Sequence, residues 1–152
     1  MEIHQIPLLR EPIMIVAFSG WNDAAEAASG AVEHLLSGWR EKNDDVLPEL
    51  IAEVESEDFY DFQVNRPVVS IDESEIRNIT WPSTQIFGMA IPSMKRDLVI
   101  VTGVEPSMKW KSFTSELLDL ADDLEVSLIV SLGSLLADTP HTRPITVTGT
   151  GA

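Results

Sequence analysis

With 152 residues, 44% hydrophobic and 23% charged, the chain has the size and balance of one globular domain, 1–152, and apolar positions along most of its length exclude extensive disorder. Lys and Arg number 10 against 25 Asp and Glu, and the resulting charge of −15 disfavours nucleic-acid backbones and anionic membranes as partners. Without cysteine there is no disulfide, thiolate nucleophile or Cys-based metal site, and without a bilayer-length apolar run the chain reads as cytoplasmic.

In chain order, Ile13 to Ser19 is a short apolar run of strand formers, of the kind buried on both faces. Gly20 turns the chain, Asp23 can cap a following helix with Glu26 placed to complete a reciprocal cap, and Ala24, Ala28, Ala31, Val32 and Leu35 form a stripe at helical spacing. Gly38 is expected to end that helix. Leu50 to Glu55 alternates as a strand, and Val68 to Ile71, Ile76 to Ile79 and Thr84 to Met89 suggest an antiparallel excursion. Leu98 to Val101 is a second compact apolar run. Between Lys109 and Glu125, Trp110, Phe113, Leu117, Ala121 and Leu124 mark one face of the clearest helix. Val126 to Leu132 reads as another buried strand, and Thr146 to Thr148 as the start of a last one. This order predicts an α/β fold with helices packed on a mixed, partly parallel sheet.

Ligand groups in α/β sheets collect in loops at the carboxyl ends of strands, and three such loops are rich here. The first, Ser19-Gly20-Trp21-Asn22-Asp23, lies where helix amides could hold an anion, but Asp23 could equally satisfy those amides itself. In the second, Thr102 to Pro106, with Trp110 behind it, Glu105 is either a desolvated general base or a surface carboxylate. The third, Gly133 to Pro144, places Asp138, His141 and Arg143 in a segment stiffened by Pro140 and Pro144, as an acid–base or anion site or as a structural turn. Any functional reading requires the three loops to meet at one rim. Ser19 and Ser134 lack the Gly-x-Ser-x-Gly elbow, no Walker or Rossmann glycine pattern occurs, and His4, His34 and His141 are too dispersed for a local zinc motif, so neither metal nor cofactor is expected. The acidic stretch from Glu41 to Glu75 reads as a solvated surface, or as a face for a basic partner.

Four ordered stretches resemble the proteasome assembly chaperone 2 family: Phe18 to Ala24; Asp58-Phe59-Tyr60-Asp61-Phe62 with Arg66-Pro67; Gly103-Val104-Glu105-Pro106 with Trp110 and Phe113; and Leu132-Gly133 with Ala137 to Pro144. Arg77 with Trp81-Pro82 also fits. The resemblance implies a three-layer α/β/α sandwich around a mixed sheet, similar to phosphorylase and peptide-hydrolase folds, although fold kinship transfers no activity. It further implies a protein partner, since eukaryotic members pair with a partner and help assemble the proteasome α-ring. Some bacterial members carry the description of ATP-dependent carboxylate–amine ligases of the ATP-grasp type. Family members are longer, so the chain is expected to be an N-terminal portion, truncated at the C-terminus, whose exposed sheet edge favours homo-oligomers. The chaperones' C-terminal docking tail, with its penultimate tyrosine, has no counterpart in Thr150-Gly151-Ala152, and Tyr60 is the single tyrosine.

Two functions follow from these readings. One is a chaperone-like interaction domain for a proteasome-type subunit or for copies of itself. The other is a small-molecule-binding enzyme, of the ligase or the phosphorylase and hydrolase kind, built on the strand-end loops. Whether the chain is an enzyme stays open at this level. The candidate ligand or partner site comprises Gly20, Trp21, Asp23, Glu105, Trp110, Asp138, His141 and Arg143.

Overall fold

The computed structural model describes residues 1–42, 47–72 and 76–151. Asp44, Asp45, Glu73 and Glu75 of the acidic stretch lie outside the described residues. The strands are β1 (Glu2–Ile3), β2 (Ile13–Ser19), β3 (Glu49–Glu53), β4 (Val68–Ile71), β5 (Arg77–Thr80), β6 (Thr84–Met89), β7 (Leu98–Val104) and β8 (Leu128–Ser131). The helices are α1 (Ala27–Lys42), α2 (Ser56–Phe59) and α3 (Trp110–Asp123), with a 3-10 turn at Ala24–Glu26 before α1. The main sheet has the order β1-β3-β6-β7-β2-β8, and β4-β5 forms a separate hairpin. Strand β2 runs parallel to both β7 and β8, whereas β6 pairs antiparallel with β7 and with β3, so the sheet is mixed.

Period-two alternation sorts the central strands between two cores. Met14 and Val16, with Val99 and Val101, face a cluster closed by Phe113, Leu117, Leu120 and Leu124 of α3 and by Phe59 of α2. Ala17 and Ile100 face the other side, where Ala28 and Val32 of α1 pack with Met89 and Ile91. Helices thus cover both faces of the central strands, giving three layers. The aromatic rings of Phe18, Phe59 and Phe113 meet edge to face, with Phe113 central at 5.5 Å from each of the others.

At the amino ends of β2 and β7 a clasp ties the layers together. Asp97, 1% exposed, accepts hydrogen bonds from the Arg10 amide at 2.7 Å and its Nη2 at 2.6 Å, and from the Ile91 amide at 2.8 Å. The Arg10 guanidinium is the largest cause holding the Asp97 carboxyl at about 2.

Three sequence expectations give way to tertiary context. Helix α1 runs through Gly38 to Lys42, because Gly38 does not adopt the left-handed conformation that ends a helix. Glu26 forms no reciprocal cap, since it and Ala25 both have φ of 56° and regular helix starts only at Ala27. Among the described residues strand β8 pairs with β2 alone, leaves Leu128 and Ile129 exposed, and is followed by residues 145–148 outside any ladder.

Candidate functional site

The carboxyl ends of the parallel strands β2 and β7 lie side by side, Ser19 opposite Val104 in the register, and the loops leaving them form a cleft. Two glycines allow the approach. A Cβ on Gly20 would lie 2.6 Å from Glu105 Oε2 and 2.9 Å from Glu105 Cβ, and one on Gly103 would collide with the Ser83 carbonyl oxygen. The Glu105 amide donates to the Ser19 carbonyl at 2.9 Å, and Glu105 Oε2 accepts from the Trp21 amide at 3.2 Å. Each loop therefore fixes the other.

The far wall comes from the segment after α2. Amides of Ser107 and Met108 donate to the Phe59 carbonyl at 2.8 and 3.2 Å, and Asn65 Nδ2 donates to Ser107 Oγ at 3.0 Å. Beneath it the buried Tyr60 hydroxyl donates to the Val104 carbonyl at 3.1 Å and lies 2.7 Å from Thr84 Oγ1. Burial pushes the Tyr60 hydroxyl pKa up, against the opposing hydrogen bond to Thr84, so this group stays a neutral support for the floor. The resulting cleft, of about 520 Å³, is lined by Gly20, Trp21, Asp61, Glu105 and Trp110 among others. That volume suits a small ligand or a side chain inserted from a partner.

Asp23 sits behind this cleft and is saturated. Its Oδ1 accepts from the Ala28 amide at 2.7 Å and the Ser29 amide at 3.3 Å, its Oδ2 from the Ser29 hydroxyl, and Ser134 Oγ lies 3.3 Å from Oδ1. Burial raises its pKa, but the hydrogen bonds from Ser29, Ala28 and Ser134 prevail and the net direction is down. Of its two sequence readings the structure gives the cap, reached across the 3-10 turn to amides five and six residues on. Asp23 also bridges to Ser134, whose amide donates to the Asn22 carbonyl at 2.8 Å, so the third loop joins the first at its beginning.

The remaining candidates separate from the cleft. Asp138, His141 and Arg143 are exposed, and the backbone bonds of their segment, Thr139 amide to Ala137 carbonyl and Arg143 amide to Pro140 carbonyl, are local. None of the three lines the cleft. Gly20, Trp21, Glu105 and Trp110 come together, with Asp23 behind them. Asn65 carried no signal in the sequence, and Asp61 entered only through the Asp58 to Phe62 stretch of the resemblance, not as a site candidate. Among the described residues no group of three or more acidic or His side chains could hold a metal ion, and no helix is long and apolar enough to cross a membrane.

Residues 17–152, which include every element around the cleft, match the model of the PAC2 family. The chain belongs to the PAC2 family. A PAC2 family protein from Streptomyces avermitilis has a crystal structure that superposes with a TM-score of 0.77 at 52% identity, over 88% of this chain and 54% of that one. A proteasome-assembly chaperone homologue of Mycobacterium tuberculosis gives 0.76 at 46% identity, over 87% and 53%. A second M. tuberculosis protein, of unknown function, gives 0.77 at 25% identity, over 95% and 50%. No curated protein matches. This PAC2-family chain spans about half the length of the solved relatives it matches.

Proposed function

We propose that the chain is a chaperone-like protein-interaction domain, acting in the cytoplasm on a proteasome-type subunit or on another copy of itself in a homo-oligomer. Membership of the PAC2 family and the likeness to a proteasome-assembly chaperone homologue support the general class. The observation that carries the reading is the β4–β5 hairpin. Every residue of its two strands is exposed, with Val68, Val69, Ile71 and Ile79 each at least 59% accessible. A two-stranded hairpin is marginally stable alone, and apolar side chains displayed on one are suited to a protein surface. Size-exclusion chromatography with light scattering, and reconstitution with purified proteasome α-subunits, test it. A stable oligomer or a stoichiometric complex is expected, lost in Val69→Ser/Ile79→Ser; a monomer that binds no subunit overturns the reading.

The cleft favours a second reading, a small-molecule-binding enzyme of the ATP-dependent carboxylate–amine ligase or phosphorylase and hydrolase-like kind. It stands at the carboxyl ends of parallel strands, where α/β sheets build ligand sites. A thermal-shift screen with nucleotides, nucleosides and phosphate tests this, because a ligand of the native state raises its melting temperature. No shift with any of them removes it.

A further inference from the structure

The lining of the cleft is chemically one-sided. Among the described residues its two charged groups are Asp61 and Glu105, and no Lys, Arg or His lines it. Both carboxylates keep an oxygen with no partner among the described residues: Asp61 Oδ1 accepts from the Gln63 amide at 2.9 Å and Glu105 Oε2 from the Trp21 amide at 3.2 Å, while Asp61 Oδ2 and Glu105 Oε1 accept from nothing. Among the described residues neither carboxylate is in an ion pair, although Asp58 is paired with Lys109 at 2.6 Å. Two tryptophans share the same cleft, and both leave much of their surface uncovered: Trp21 is 88% and Trp110 49% exposed. The face of an indole ring carries negative charge density and attracts a cation placed over it.

The same geometry disfavours an anion. The Trp21 amide is already given to Glu105, and the α1 amides of Ala28 and Ser29 are given to Asp23. The amino end of α3 at Trp110 contributes partial positive charge, but a helix end carries only about half a unit against two full carboxylates.

We propose that this cleft binds an organic cation, a guanidinium or alkylammonium group, against Trp21 and Trp110 with Glu105 and Asp61 as its acceptors. The chemistry is the same whether the cation is an Arg or Lys side chain of a partner or a free diamine or guanidine. A guanidinium carries several donors in a fixed plane for carboxylate oxygens and can stack on an indole face. The inference stands on the cleft alone and is independent of the β4–β5 hairpin.

Calorimetric titration of the full chain at low ionic strength tests it. The probes are N-acetyl-arginine amide, its uncharged counterpart N-acetyl-citrulline amide, agmatine, and a short peptide with a central Arg. The arginine probe is expected to bind and the citrulline probe to fail. Trp21→Ala is expected to weaken the arginine probe about fivefold, the worth of one exposed cation–π contact, and Glu105→Gln about tenfold, the worth of one charge-assisted hydrogen bond. Asp119→Asn, which removes the same charge from the exposed side of α3, controls for the general negative field and should leave binding unchanged. Tighter binding of the Arg peptide than of agmatine places the source in a protein partner, and the reverse places it in a free metabolite; both support the cleft. Equal binding of arginine and citrulline probes, no binding of either up to millimolar concentration, or equal losses in Asp119→Asn and Glu105→Gln overturns it. The citrulline comparison uses the unaltered protein and so holds even if a variant fails to fold.

Discussion

The two ends of the parallel strand pair treat their carboxylates in opposite ways. At the amino ends Asp97 is buried and accepts from two amides and a guanidinium. At the carboxyl ends Glu105 and Asp61 stand partly exposed in a cleft, each with one oxygen bonded and one open. Asp23, though near the carboxyl ends, belongs with Asp97 in kind, since its oxygens are spent on α1 and Ser134. A saturated carboxylate organises the fold, whereas an unsaturated one beside exposed aromatic rings keeps bonding capacity for something else. Position at a strand end therefore does not tell whether a carboxylate keeps bonding capacity, and its hydrogen-bond partners do.

The contrast is broken most directly by Asp97→Ala. It leaves the amides of Arg10 and Ile91 without their acceptor and the Arg10 guanidinium with the Ile91 carbonyl alone, and urea denaturation should show a loss of about 3 kcal/mol. Titrating the same clasp gives the next effect. The Asp97 carboxyl is held at about 2 in the folded chain against 3.8 unperturbed, so its stabilisation is full above about pH 4 and fades as pH falls toward 2. Chemical denaturation across that range should show a limb that Asp97→Asn removes. Asp23→Ala should cost about 2 kcal/mol, the upper end of the range for a helix cap, with fraying at the start of α1 visible as faster amide exchange at Ala28 and Ser29. Glu105→Gln should change stability by less than about 0.5 kcal/mol, as expected for a partly exposed group with one long hydrogen bond, while weakening cation binding about tenfold. A Glu105→Gln loss as large as that of Asp97→Ala would erase the distinction between the two ends.

Much of the central architecture was legible because it rests on local pattern. The run from Ile13 to Ser19 is β2 residue for residue, Thr84 to Met89 is β6, and the apolar spacing from Trp110 to Leu124 places α3 within a residue or two of each end. Val126 to Leu132 has the same apolar composition as the central strands, yet β8 is mostly exposed, because burial depends on having neighbours on both sides and a layer above, and composition reports neither. Within the site, Gly20, Trp21, Glu105 and Trp110 were legible as strand-end residues. Asp61 was hidden because it reaches the cleft from a segment that precedes β7 by a whole antiparallel excursion.

By itself the sequence determined the α/β class, the central strands, the amphipathic α3 and the strongly acidic character, since propensity, periodicity and charge are properties of neighbouring residues. Only the tertiary structure decided that Glu105 and Trp21 meet, that Asp23 is spent as a cap, and that Asp138, His141 and Arg143 stay apart. Those outcomes depend on which strands pair and on where each carboxylate finds its hydrogen-bond donors, and a contact such as Trp21 with Glu105, 84 positions apart, leaves no local trace in a single chain.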